Sequence, residues 1–228
     1  MIRLPLLLLI ALPLVAGDEV VMLLDISNSV APAFEINVSA TGQSLAALPD
    51  GACVTVLAVT RASFRAPKFL IRRTCIGVAD YATDSRPTVA RQQLAHHWRD
   101  AVEGLHATEP VTDIVGALHY AAWLLEEYSG SRRWIAVWTD ARNTSDPNLN
   151  TLPGLKKAFA ALPRGSVQLP RLAGVQIVMV GVDTIGRDPQ YMAALRDFWT
   201  QYLNMSGGAL VRFSPQPEWT LSTVSGRR

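Results

Sequence analysis

The sequence predicts an α/β layer fold: a Rossmann-like, open, mostly parallel six-stranded sheet with one antiparallel edge strand and helices on both faces. Three observations carry this expectation. Six apolar runs of strand length recur along the 228 residues. They are nearly continuous rather than alternating, as in strands buried on both faces. Segments with helical spacing separate most of them, the pattern of a parallel sheet.

The runs are "VVMLLD" (20–25), "CVTVLAVT" (53–60), "FLIRRTCI" (69–76), "WIAVWTD" (134–140), "VQIVMVGVD" (175–183) and "ALVRF" (209–213). Three of them end on an aspartate. After the first, Phe34, Val38, Leu45 and Leu48 keep one helical face apolar, and Val89, Leu94, Trp98, Val102 and Leu105 do the same later. Ile114, Leu118, Ala122 and Leu125 mark a third helix that Thr112 or Asp113 can cap. Leu155, Ala158, Phe159 and Leu162 suggest a fourth, and Tyr191, Leu195, Phe198 and Leu203 a fifth that "SGG" closes. Runs two and three have no helical segment between them, only "TRASFRAPK", so they form a hairpin and supply the antiparallel edge.

Composition is that of an ordinary globular protein, 49% hydrophobic and 18% charged with a formal net charge of +2. No basic stripe points to a nucleic-acid partner. The first residues, "MIRLPLLLLIALPLVAG", place one arginine before an apolar stretch that ends on Ala16 and Gly17. That is the layout of a signal peptide (1–17), too short to span a bilayer and leaving no stable membrane insertion after cleavage. The expected organisation is a signal peptide, one domain over 18–213 and an extended tail over 214–228, in a secreted or periplasmic protein. Export allows the only two cysteines, Cys53 and Cys75, to be oxidised. They lie equally far from Phe64 at the hairpin centre, hence opposite each other and in reach of a disulfide. Two buried free thiols are the alternative.

In open α/β sheets ligands bind beyond the carboxyl ends of the strands, where strand order reverses. "VVMLLDISNSV" leaves its strand on Asp25 and adds hydroxyls at Ser27 and Ser29. Three oxygens in one turn, with little total charge, suit a hard cation such as Mg²⁺. Thr112 in "VTDIVGAL" and Asp140 in "VWTDARN" offer two more. DxSxS after a first strand, Thr opening a helix and Asp after a later strand together resemble the metal-ion-dependent adhesion site (MIDAS) of von Willebrand factor type A (vWA) domains. The resemblance runs from about Val20 to Phe213 and includes the order of elements.

It implies a vWA-like fold in which Ser27, Ser29 and Thr112 give hydroxyl oxygens to Mg²⁺ or Mn²⁺. Asp25 and Asp140 would act directly or through water, and one open position would accept a partner's Asp or Glu carboxylate. The implied function is a protein-binding module with no reaction of its own. A phosphohydrolase with Asp25 as nucleophile is the enzymatic alternative, but the second acid such enzymes carry two residues on is Ser27 here. A metal-free vWA scaffold is the third reading. This sequence departs from the family pattern at "TDAR": Ala141 stands where Gly is frequent, and Arg142 puts a positive charge near the metal, either weakening its affinity or contacting an acidic partner. No final helix is evident after the sixth strand.

Other residues point to simpler roles. His96 and His97 are adjacent and project about 100° apart on a helix, so they do not chelate as a pair. His119 lacks the GxSxG elbow of a serine hydrolase. Most tryptophans read as core, with Trp219 in the tail as a partner-facing exception. Asn37, Asn143 and Asn204 open NxS or NxT triplets that we take as coincidental.

Overall fold

A computed structural model describes residues 17–78, 83–128, 132–183 and 187–221. The expected signal segment lies outside the described residues, apart from Gly17. Six strands, β1 (Asp18–Asp25), β2 (Cys53–Val59), β3 (Lys68–Cys75), β4 (Arg132–Trp138), β5 (Val175–Val180) and β6 (Ala209–Ser214), form one sheet in the order β3-β2-β1-β4-β5-β6. All neighbouring pairs are parallel except β2–β3. The expected sheet, including its antiparallel edge strand, is therefore the observed one. Strand order reverses between β2-β1 and β4, so the crevice of such a sheet opens above the carboxyl ends of β1 and β4.

Five helices cover the two faces: α1 (Phe34–Ala46), α2 (Arg86–Val102), α3 (Ile114–Glu127), α4 (Leu152–Ala161) and α5 (Pro189–Met205). Alternate strand residues feed two separate cores. Val21, Leu23, Ile135, Val137, Ile177 and Met179 pack under α3, α4 and α5. Val20, Met22, Leu24, Ala136, Val178 and Val180 pack under α1 and α2. Burial on both faces is why these strands carry almost no polar residues.

Several boundaries differ from the sequence pattern. Of the three strands expected to end on aspartate, only β1 does. β5 stops at Val180 because Gly181, at φ +74°, turns the chain. β4 stops at Trp138, so Asp140 stands in the following loop. Val89, assigned to the apolar face of the second helix, is 45% exposed, and α2 is anchored instead through Pro87, Leu94 and Trp98. In the hairpin Cys53 pairs with Cys75 and the two form a disulfide. Farther along the same pair Val56 faces Ile71 and Leu57 faces Phe69, because two irregularities shift the register.

The tail is not a free appendage over its described part. Trp219, expected to face a partner, is 2% exposed, with its ring between Trp134 and Trp138 at 6.1 Å from each. Trp138 Nε1 donates to the Pro217 carbonyl at 2.9 Å, and the Ser44 hydroxyl donates to the Trp219 carbonyl. Trp219 and Leu221 thus complete the core beneath α1 and α2, and Leu221, the last described residue, is already helical, although no helix was evident after the sixth strand in the sequence.

Candidate metal centre

Three loops meet over the crevice, held by hydrogen bonds that run between them. The first follows β1, where the Ser27 N–H donates to Asp25 Oδ1 at 2.9 Å and the Ser27 and Ser29 hydroxyl oxygens lie 3.0 Å apart. Alternate spacing therefore brings both hydroxyls together in the turn, as the sequence implied. Asn28 N–H donates to the Glu109 carbonyl at 2.8 Å and Glu109 N–H to the Ile26 carbonyl at 3.0 Å. This short bridge lays the segment before Thr112 beside the first loop.

The second loop ends at α3. Asp113, not Thr112, caps that helix, its Oδ1 accepting from Gly116 N–H at 2.8 Å. The Thr112 hydroxyl makes no hydrogen bond among the described residues, while its N–H donates to Thr144 Oγ1 at 2.8 Å. Its carbonyl accepts from Thr144 N–H at 3.0 Å and Ser145 N–H at 3.1 Å. Backbone ties thus fix Thr112 against the third loop and leave the hydroxyl for something else.

The third loop follows β4 and is tied to the first through a residue that sequence reasoning passed over. Thr139 donates its hydroxyl to Asp25 Oδ2 at 2.6 Å and accepts from Ala141 N–H at 3.1 Å. Ala141 has φ +64°, a left-handed conformation that normally favours glycine and costs an alanine roughly 1–2 kcal/mol. That is the physical content of the departure from the family's Gly. Burial of Ala141 and a 2.8 Å bond from Trp199 Nε1 to its carbonyl hold it there. Asn143 was also missed: its Oδ1 accepts from Val115 N–H at 3.2 Å, and its Nδ2 donates to Ser145 Oγ at 3.0 Å and the Pro147 carbonyl at 2.8 Å. An asparagine three residues after Asp140 in the same loop was the available signal for a bracing role.

Electrostatics single out the two acids. Asp25 is wholly buried, and its carboxyl is pushed from an ordinary 3.8 up to about 6, first by removal from water and then by the neighbouring Asp140 carboxylate. Hydrogen bonds from Thr139 and Ser27 pull it part of the way back. Asp140 is 2% exposed and is met by Arg142, whose Nη2 and Nε lie 2.6 and 2.8 Å from its Oδ2 while the Arg142 N–H donates to Oδ1 at 2.9 Å. Arg142 Nη1 also reaches Asn150 Oδ1 at 3.2 Å. The guanidinium is therefore folded back onto Asp140.

Among the described residues no group of three or more His, Cys, Asp or Glu side chains could hold a metal ion. A soft-metal or zinc site is thereby not built from these residues, and a cation here would depend on hydroxyls as well as the two acids. The donor set fits a hard divalent ion. It has an unengaged hydroxyl at Thr112, paired hydroxyls at Ser27 and Ser29, and a buried carboxylate at Asp25 with no cationic partner of its own.

An open, mostly parallel α/β sheet with hydroxyl and carboxylate side chains at its switch point defines the class. The particular fold is that of the vWA domain. The chain aligns with a von Willebrand factor type A protein from Catenulispora acidiphila at 19% identity and a TM-score of 0.50, over 87% of this chain and 39% of that one. It aligns with a mutant of the PilB minor pilin from Streptococcus sanguinis at 10% identity and a TM-score of 0.51, over 89% of this chain and 58% of that one. The human COPII-coat protein Sec24c aligns at 11% identity and a TM-score of 0.53, over 87% of this chain and 29% of that one. The chain therefore spans less than two thirds of each of these proteins. No family model and no curated protein matches the sequence.

Proposed function

We propose that the protein is an exported vWA-type binding module that captures a carboxylate of another protein through Mg²⁺ or Mn²⁺ held at the crevice. Ser27, Ser29 and Thr112 would hold the ion through their hydroxyls, and Asp25 and Asp140 directly or through water. The observation that carries this reading is the buried Asp25 carboxylate, raised toward neutrality beside Asp140 and met by the Ser27 and Thr139 side chains of two loops, with the Ser29 hydroxyl next to that of Ser27. A bound divalent ion would supply the positive charge that this acid lacks. With few anionic ligands the ion would keep affinity for an incoming Asp or Glu side chain. The chain's own residues do the positioning: Thr139 and the Ser27 N–H orient Asp25, and the Thr144 and Ser145 contacts orient Thr112.

Arg142 has two functions in this reading. In the unliganded protein it neutralises Asp140; on cation binding, repulsion would release it toward the rim, where it can meet an acidic partner. The disulfide supports export, since such bonds persist in oxidising compartments. No described helix is long and apolar enough to cross a membrane. Binding without chemistry is favoured over phosphohydrolysis because Ser27, not a second acid, stands two residues after Asp25.

Thermal unfolding with Mg²⁺, Mn²⁺ or chelator tests the proposal. A cation bound only by the native state raises Tm, and Asp25→Ala removes that rise. An equal response in the variant refutes the site. A pull-down from exported proteins with and without chelator then tests the partner class, and phosphatase activity lost in Asp25→Ala favours the enzymatic reading instead.

A further inference from the structure

Five rings meet in one strip on the outside of the domain. Phe64, in the loop between β2 and β3, lies 6.0 Å from the His119 ring and 6.5 Å from that of Tyr120. Phe69 on β3 lies 6.0 Å from Tyr120, and Tyr120 lies 5.3 Å from Trp123. Phe64 is 53% exposed and Trp123 45%, while Phe69, His119 and Tyr120 are half-buried. Single exposed apolar side chains are ordinary, but a contiguous patch of them rimmed by polar groups marks an interaction surface.

The loop that carries Phe64 is held in shape by its own hydrogen bonds. Ser63 Oγ accepts from the Thr60 N–H and donates to the Thr60 carbonyl, both at 3.0 Å, and the Ala66 N–H donates to the Ala62 carbonyl at 2.8 Å. The Asp113 N–H donates to the Thr60 carbonyl at 3.1 Å, which fastens the loop to the start of α3. Phe64 is thus presented in advance, and a ligand has little loop entropy to overcome.

Charge decides what the strip accepts. Residues 51–79 hold five cations, Arg61, Arg65, Lys68, Arg72 and Arg73, and no acid. Arg73 is paired with Glu19. Arg61, Arg65 and Lys68 are exposed and meet no acid among the described residues, and neither does Arg72, whose guanidinium stands 5.0 Å from the Phe69 ring. Of the acids on α3, Asp113 turns its carboxylate to Gly116 N–H and the Ser145 hydroxyl, and Glu126 and Glu127 stand a turn beyond Trp123, at the end away from the loop. Exposed aromatic rings with arginines among them are the composition of interface hot spots. A flat lipid surface would reach the loop tip alone, whereas rings in contact from the loop onto α3 suit a chain lying along them.

We propose that this strip docks an acidic, extended segment of a partner protein, its carboxylates meeting Arg61, Arg65 and Lys68 and an aromatic side chain stacking on Phe64 and Tyr120. The inference goes beyond the metal reading: none of these residues is a proposed ligand, so docking here needs no ion.

The test is an NMR titration of the ¹⁵N-labelled protein in chelator at low salt with acetyl-Glu-Glu-Phe-Glu-Glu-amide and two control peptides, one with its four acids replaced by Gln and one with its Phe replaced by Ala. The parent peptide is expected to move the Trp123 indole and the Phe64 and Arg65 amide resonances. Each control is expected to bind about tenfold more weakly, one from lost charge pairing and the other from lost ring burial. Phe64→Ala, at an exposed position that the fold does not depend on, is expected to weaken the parent peptide about tenfold, and Arg61→Gln with Arg65→Gln to erase its advantage over the Gln control. Equal affinity for the three peptides, or unaltered binding in Phe64→Ala, overturns the proposal. Binding that appears only with Mg²⁺ places the peptide at the metal centre and overturns the strip while upholding the metal reading. Sedimentation with phosphatidylglycerol vesicles, lost in Phe64→Ala and without any peptide binding, assigns the strip to a lipid surface and overturns the protein partner.

Discussion

Asp25→Asn is expected to stabilise the protein in chelator at neutral pH and to abolish its stabilisation by Mg²⁺. The Asp25 carboxyl is raised from 3.8 to about 6 because it is removed from water beside Asp140. The folded state therefore holds this proton more tightly than the unfolded state does. Between about pH 4 and 6 the unfolded chain has released a proton that the folded one retains, so stability falls as pH rises. The contribution is fully present below the unfolded value and lost once pH passes about 6. At 1.36 kcal/mol per pH unit the interval corresponds to about 3 kcal/mol. Asparagine still accepts from the Ser27 N–H but weakens the bond with Thr139, which returns about 1 kcal/mol. The net gain is about 2 kcal/mol, or about 4–8 °C in Tm for a chain of this length. Thermal unfolding in chelator from pH 4 to 8 should show a declining contribution in the unsubstituted protein that is absent in Asp25→Asn, with the variant the more stable of the two at neutral pH. Added Mg²⁺ should reverse that order. A variant less stable than its parent in chelator at neutral pH would refute the burial argument, and an equal Mg²⁺ response would refute the role as ligand.

Three further outcomes test other parts of the structure. Arg142→Ala removes a guanidinium 2.6 Å from Asp140 and should tighten Mg²⁺ binding by about tenfold in calorimetric titration; weaker binding would instead make Arg142 a positioning residue for the carboxylate. Replacing Cys53 and Cys75 together by Ala should cost about 3 kcal/mol in urea unfolding, as expected for a cross-link spanning 22 residues, and leave the Mg²⁺ response unchanged, because the bond sits at the start of β2, away from the strand ends that carry the site. Trp219→Ala should cost about 3–5 kcal/mol and make the tail sensitive to limited proteolysis, since the ring fills the space between Trp134 and Trp138; unchanged stability and protection would contradict that packing.

The strands were legible because burial on both faces forces a chain to write continuous apolar runs, and the order of elements followed from them. The first loop was legible for a different reason: Asp25, Ser27 and Ser29 are neighbours in sequence as well as in space. Thr139 and Trp219 were not, because each acts across the fold. Thr139 reaches an acid on another strand, and Trp219 closes a core built from distant tryptophans. Neither interaction leaves a periodicity or a motif. The Ala141 turn was visible only as a missing glycine, and its positive φ is what that absence means in the backbone.

Asn37 shows most clearly where sequence reading ends. Asn37, Thr41 and Ser44 are three polar residues on the buried side of α1. Thr41 satisfies its hydroxyl on the helix itself, donating to the carbonyl of Asn37 at 2.8 Å, and Ser44 shares its hydroxyl between the helical carbonyl of Ala40 at 2.9 Å and that of Trp219 in the tail. A carboxamide has a second polar atom and a longer reach, and Asn37 meets no partner with either. In the sequence it opens an NxS triplet, as Asn143 also does, but both side chains are buried in the folded protein. Asn143 uses both of its carboxamide atoms to brace the site from within. The difference between a satisfied asparagine and an unsatisfied one is set by what folds against it, here a glycine at φ +74° that brings no side-chain partner to the covered carboxamide.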